Sequence, residues 1–443
     1  TLYGGAGNDT LVGNAGDNTL DGGTGADTIY SGGGSDTIVI RSGDGSTSLA
    51  TSSVVKDFTD SSDILGMDNL SYSDLTIEQG TGDYSNHTLV KITSSDEYLL
   101  ILENISASNI NVLDFSSTST DALTFNGTSG DDGLVGGAGD DIFNGSAGSD
   151  TLLGFAGNDT FNIRSKTGSY ADTVNGGAGT DTLDISYSGI TSLKDFTLSS
   201  SGSNIVLTDA SGGSITFSNI ENLTVNSIAY IPPPSDPINS GDGGLSNAFY
   251  STAEKSILSY GSAVWYVQNL KSGSNNYIGF GDSDDVTFKG SSSQETINLN
   301  INRTTEYSGN LTITMGDGND SINSAKLKNT DSIDMGAGDD TVSLMINGSY
   351  GTPTIGAANF TKLDGGTGTD TLSFQEGTPD ADTELTLTTG GAVNFENLTG
   401  GSNAEVLKGD NNANVLRGKG GADTIYGYGG NDTLYADDND TLF

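Results

Sequence analysis

From Gly4 to Val39 the chain reads GGAGNDTLV, GNAGDNTLD, GGTGADTIY, SGGGSDTIV, four successive units of nine residues with no slip in register. Glycine dominates positions one, two and four, Thr holds position seven, and Leu or Ile holds position eight (Leu11, Leu20, Ile29, Ile38). Position six carries Asp9, Asn18, Asp27 and Asp36. A strict period of this kind marks a solenoid, because no unit can bury its one apolar side chain alone and stacking buries them together. The glycines allow a tight loop that other residues resist. The last three residues are β-prone and make a short strand.

The unit recurs along the chain. From Gly127 the sequence runs GTSGDDGLV, GGAGDDIFN, GSAGSDTLL, GFAGNDTFN, with Asp132, Asp141, Asp150 and Asp159 at position six, and GGAGTDTLD from Gly176 adds Asp181. A third run starts at Gly400, where Glu405 and Asn414 replace the first two aspartates and Asp423 and Asp432 keep them. Between the runs MGDGNDSIN, MGAGDDTVS and GGTGTDTLS place Asp320, Asp340 and Asp370 at wider spacing, which predicts wider coils. The opening Thr1-Leu2-Tyr3 matches the last three positions of a unit, so the reading extends the repeat upstream.

A column of aspartates at the ~4.8 Å strand spacing would repel itself. Each carboxylate is a hard anionic oxygen, and Ca²⁺ takes six to eight such oxygens at about 2.3 to 2.6 Å. Stacked loops can share one ion, which points to Ca²⁺, bound at several places, as the cofactor.

These units resemble the RTX, or hemolysin-type, calcium-binding repeat. The resemblance implies that the first six residues form the calcium turn and the last three a parallel β-roll strand. It implies ligands from the sixth-position aspartates, with Asn18 as a further candidate, and from loop carbonyls at Gly5, Gly7, Gly22, Gly23, Thr24, Gly25, Gly136, Gly137, Ala138 and Gly139. It also implies type I secretion to the cell exterior.

Composition agrees with a metal-held chain. Only 33% of the residues are hydrophobic, Gly numbers 65, and 58 acidic against 16 basic residues give a net charge of -42. So acidic and polar a chain tends to disorder unless cations offset its charge. The same sign excludes nucleic acid, whose binding rests on basic side chains. With no cysteine there is no disulfide framework, thiol chemistry or Cys-based zinc site. No stretch approaches the ~18 apolar residues of a transmembrane segment.

The expected fold is all-β, with several parallel β-rolls or β-helices separated by strand-rich capping segments. The organisation reads as an RTX roll over 1–39, a capping segment over 40–120, a second roll with a strand-rich extension over 121–230 and a Pro-rich linker over 231–237. A β-rich segment with an aromatic cluster follows over 238–313, then a wider parallel β-helix with calcium loops over 314–399 and a C-terminal roll over 400–443. Residues 37–115 resemble the strand segment that closes RTX rolls in secreted proteases, through Val55-Lys56-Asp57-Phe58 and Asp63-Ile64-Leu65. The motifs around Glu221 and Glu396 echo that around Glu103, each expected to end a strand-rich layer.

Two local features stand outside the repeats. Trp265, the only tryptophan, and Tyr266 offer aromatic faces for a glycan or partner subunit, or serve as core strand residues. Asp282 and Asp284, beside Asp285, could make a separate Ca²⁺ site or a solvated turn. Catalysis has little to draw on. The single histidine, His87, sits in the capping segment and reads as a strand residue, and aspartates are too numerous to mark a catalytic pair.

The expected function is therefore non-enzymatic: an extracellular calcium-binding structural protein that folds after secretion and builds a surface layer, filament or long adhesin. Its expected partners are copies of itself or other cell-surface components. A glycan- or cell-binding adhesin module is the alternative, and an RTX-containing polysaccharide lyase or epimerase a lesser one.

Overall fold

The computed structural model describes residues 1–230, 248–251, 253, 256–259, 264–266, 285–298, 309–325, 330–345, 362–375, 383–387, 392–402, 404–437 and 439–443. The fold is all-β and built mainly of parallel sheets; the helical segments described are single 3-10 turns of three residues. Contacts divide the chain into two compact units, Thr1–Thr191 with Thr208–Ser227, and Ser192–Leu207 with Ile228–Phe443.

In the first unit the nine-residue period becomes a coil with two short strands. Successive units fall alternately on two sheets, so the hydrogen-bonded neighbour of each strand lies two units away. On one sheet Leu2, Leu20, Ile38, Leu65 and Phe115 stand in register. On the other Leu11, Ile29, Val55 and Leu102 do the same. Position eight faces inward from both sheets, and of these side chains all but Leu2 are at most 4% exposed.

The segment after Arg41 does two things. Val54–Val55 and Ile64–Asp68 continue the parallel sheets, then Leu75–Gln79, Thr88–Ile92 and Glu97–Leu102 fold as an antiparallel meander. Phe115–Ser117 returns to the first sheet, and Ser117 donates its N–H to Gly136 O at 2.7 Å, joining the next run of repeats. Val135 and Leu153 share one apolar cluster with Leu102 and Phe115. An edge that would otherwise expose ladder groups is thereby partly covered and partly extended.

From Thr124 two parallel sheets form again. One file runs Phe125, Phe143, Phe161, Leu183, Leu223, its rings stacked at 5.0 and 4.7 Å, and the other runs Leu134, Leu152, Val174, Phe217.

The second unit keeps the plan with longer coils. Ile297, Ile322, Val342, Leu372, Leu398 and Leu416 are in register and buried along one sheet. Phe288, Ile313, Ile333, Leu363 and Ala392 line another. Equivalent acids are 20 and 30 residues apart here, against 18 in the C-terminal run. Among the described residues no helix is long and apolar enough to cross a membrane.

Candidate metal centres

The sixth-position acids are not scattered turn residues; the stacking lines them up. Asp27 Oδ1 accepts the N–H of Asp9 at 2.9 Å, and Asp36 Oδ1 that of Asn18 at 2.7 Å. Asp150 takes the Asp132 N–H, Asp159 that of Asp141 and Asp181 that of Asp159, at 2.8 to 3.1 Å. In the second unit Asp320, Asp340 and Asp370 accept from Glu295, Asp320 and Asp340 at 2.7 to 2.8 Å. Asp423 and Asp432 do so from Glu405 and Asn414.

One oxygen of each of these carboxylates thus accepts an N–H from the preceding coil. The other is left over. Oδ2 of Asp9, Asp36, Asp159, Asp181, Asp320, Asp340, Asp370 and Asp423, and Oε2 of Glu295, are buried without a hydrogen-bond partner. A buried, unsatisfied carboxylate oxygen is costly and calls for a cation. Burial pushes Asp159 up to about 7, Asp320 up to about 8, and Asp340 and Asp370 up to about 6. Burial also raises Asp27, Asp36, Asp181, Asp423 and Glu295.

The glycines explain how carbonyls reach the same space. A Cβ on Gly22 would come within 2.4 Å of Asp27 Oδ2, so the position-one glycine makes room for its own loop's carboxylate. Gly23 and Gly25 have φ of +77° and +136°, and a Cβ on them would meet Gly5 O and Gly7 O at 2.1 and 1.9 Å. The carbonyls of Gly5 and Gly7 therefore lie against the next coil's loop. Thr24 O and Gly137 O each accept one backbone N–H, from Gly7 and Ala156, which leaves a second lone pair on each. The carbonyls of Gly22, Gly136 and Gly139 lie against Gly4, Ser117 and Gly157, while the Ala138 N–H donates to Ser119 O. Orphaned carboxylate oxygens beside stacked carbonyls form a hard-oxygen donor set that fits Ca²⁺. Among the described residues no group of three or more His, Cys, Asp or Glu forms a metal cluster, so such a site depends on those backbone carbonyls.

Not every expected ligand is alike. Asp132 Oδ2 takes the Thr128 N–H at 2.6 Å and Asp141 Oδ2 the Gly137 N–H at 3.0 Å, so neither has an orphaned oxygen. Asn18 Oδ1 accepts the Asn14 N–H at 2.7 Å. Asp150 Oδ2 is bound by the Lys166 ammonium at 2.7 Å. Asp282 and Asp284 lie outside the described residues, while Asp285 accepts the Asn310 N–H at 2.7 Å. Trp265 and Tyr266 belong to the strand Val264–Tyr266, paired in parallel with Thr296–Asn298; their side chains lie outside the description.

The ladder also contains acids that the repeat pattern missed. Asp63, Asp172, Asp331 and Asp440 each accept the N–H of a residue one coil earlier, from Asp36, Asp150, Leu311 and Asp423. Glu295 belongs with them and, like Asp331, is fully buried at 0% exposure. Their shared signal is an acid followed by a polar residue and then Ile, Leu or Val (Asp63-Ile64-Leu65 lacks only the polar residue), without the glycines. Glu221 and Glu396 fit it too, and their Oε2 atoms take the Asp181 and Asp370 N–H groups at 2.8 Å. Glu103-Asn104-Ile105 carries the same signal without the same role, since its carboxylate pairs with Lys56 at 2.9 Å.

Replacing Asp340 with Asn gives a sharp test of the orphaned oxygen. The Asn Oδ1 keeps the hydrogen bond from Asp320 but supplies no anion. Asp340→Asn is expected to be at least as stable as wild type in chelator and less stable by about 2 kcal/mol or more in saturating CaCl₂. Paired urea unfolding curves read the change of sign.

The model of the RTX calcium-binding nonapeptide repeat matches in four copies, over residues 3–38, 124–162, 166–184 and 399–443. No curated protein matches the chain. Among solved structures, the crystal structure of the extracellular lipase LipA from Serratia marcescens is similar at 16% identity and a TM-score of 0.18. That alignment covers 72% of this chain and 37% of the lipase chain, so this chain spans little over a third of its length, and the likeness carries no argument about activity. The ladder, the glycine loops and the family match together identify the chain as a carrier of RTX calcium-binding nonapeptide repeats, in a parallel β-roll fold.

Proposed function

We propose that this chain is a structural segment of a secreted cell-surface protein, folded by several Ca²⁺ ions outside the cell, and that it has no catalytic role. The observation that carries the reading is the unbroken ladder Glu295, Asp320, Asp340, Asp370, whose acids each keep a buried orphaned oxygen. A scaffold made rigid by ions suits a surface layer, a filament or a long adhesin. Extracellular calcium modules have dissociation constants of about 10⁻⁴ to 10⁻³ M, so the loops would stay empty in the cytosol and fill outside. Support for a non-catalytic role comes from His87, whose Nδ1 accepts the Asn104 N–H at 3.0 Å and is thereby engaged in holding the meander. On this reading the rolls at 1–39, 121–230 and 400–443 and the wider helix at 314–399 are spacers of that surface structure.

The test is electron microscopy and sedimentation of the purified chain during a CaCl₂ titration. Ordered sheets or filaments in calcium, dispersed again by chelator, are the expected result. A calcium-folded monomer that binds immobilised glycans would replace assembly with adhesion as the role.

A further inference from the structure

One rung of the second roll already has a cation. Lys166 has a fully buried side chain, and its Nζ donates to Asp150 Oδ2 at 2.7 Å, Asp172 Oδ1 at 2.9 Å and Gly148 O at 3.0 Å. These are a loop carbonyl and two successive sixth-position carboxylates, the donor types that the other loops leave open. The structure assigns Lys166 as a resident counter-ion that takes the place of Ca²⁺ between the Asp150 and Asp172 loops, making this rung independent of metal.

The sequence is built for the exchange. Asp150 to Asp172 spans 22 residues where Asp132 to Asp150 spans 18, so this coil is longer by 22 − 18 = 4 residues. Counted back from Asp172, the unit reads TGSYADTVN, with Thr167 and Tyr170 where other units have the first and fourth glycines. The added length lets Lys166 turn under the loop, and the Tyr170 ring closes over the ammonium at 5.3 Å. A divalent ion could not enter beside it, since two cations about 3 Å apart in a buried site repel strongly. The neighbouring column has no such group: Asp159 and Asp181 keep their orphaned Oδ2 atoms. Asp172 Oδ2 is likewise unpartnered, because the ammonium sits on Oδ1.

A lysine costs no metal concentration, so the coil around it can close before calcium arrives and serve as the seed on which neighbouring coils stack. Hydrogen–deuterium exchange of the whole chain in excess chelator tests this without any substitution. Amides of 148–175 are expected to exchange roughly 100-fold more slowly than those of 13–39, the scale set by breaking a buried ion pair from one side. Equal exchange in the two segments overturns the assignment.

The second arm replaces the charge but keeps the bulk. Lys166→Met is expected to lose that protection in chelator and, in saturating CaCl₂, to bind one more Ca²⁺ per chain than wild type by equilibrium dialysis. A variant that keeps wild-type protection, or that folds in calcium and binds no additional ion, overturns the proposal. If the variant fails to fold even in calcium, the wild-type exchange experiment still decides.

Discussion

Excess chelator is expected to abolish most of the β-structure, and millimolar CaCl₂ to restore it, as read by far-ultraviolet circular dichroism. An ion bound only by the folded state stabilises it by about 2.7 kcal/mol at 100 times its dissociation constant. Were each of the four orphaned acids Glu295, Asp320, Asp340 and Asp370 to hold one ion, the second unit would gain on the order of 10 kcal/mol. That equals the whole stability of an ordinary domain, about 5 to 15 kcal/mol. Without the ions the buried carboxylates remain unsatisfied and a net charge of -42 acts on a chain only 33% hydrophobic. Disorder then wins. Full β-structure in chelator would refute calcium-driven folding.

Acid should substitute for calcium. In the metal-free chain burial holds Asp320 at about 8, Asp159 at about 7, and Asp340 and Asp370 at about 6, all above the ordinary 3.8. A carboxyl raised on folding binds its proton more tightly in the native state. Its stabilising contribution is complete below the unfolded value and is lost as pH rises through the folded one. Chelated protein at pH 8 is therefore expected to regain β-structure on acidification towards pH 5, with the change centred between about 6 and 8. Calcium reverses the dependence. Its binding requires the ionised carboxylate, so the CaCl₂ midpoint should move to higher concentration as pH falls through the same window. A midpoint that does not move between pH 8 and pH 5 would mean that these acids are not the ligands.

Much of the architecture was legible because the repeat encodes three things at fixed offsets. Glycine gives the turn, position six the acid and position eight the inward side chain, so Leu11, Leu20, Ile29 and Ile38 could be placed before any coordinates. The ladder was less legible. Glu295 sits after GSSSQ, which lacks all but the first glycine, and only its register with Asp320 reveals it as the same kind of rung. Asp172 was hidden for the same reason. Lys166 lay beyond reach, since a lysine six residues before an aspartate says nothing until the longer coil folds it beneath Asp150. Pattern reports what each loop contributes, whereas cation placement depends on how two loops overlap.

The hydrogen bond along the ladder also has a polarity. The N–H always belongs to the earlier residue and the carboxylate to the later one, as from Asp9 to Asp27, Asp141 to Asp159 and Asp320 to Asp340. At this position each of these coils is completed by the one that follows it in sequence. A chain that stacks its coils from the N-terminal side therefore carries, at each moment, a last coil whose sixth-position amide lacks its acceptor, and that end stays frayed until the following coil has docked.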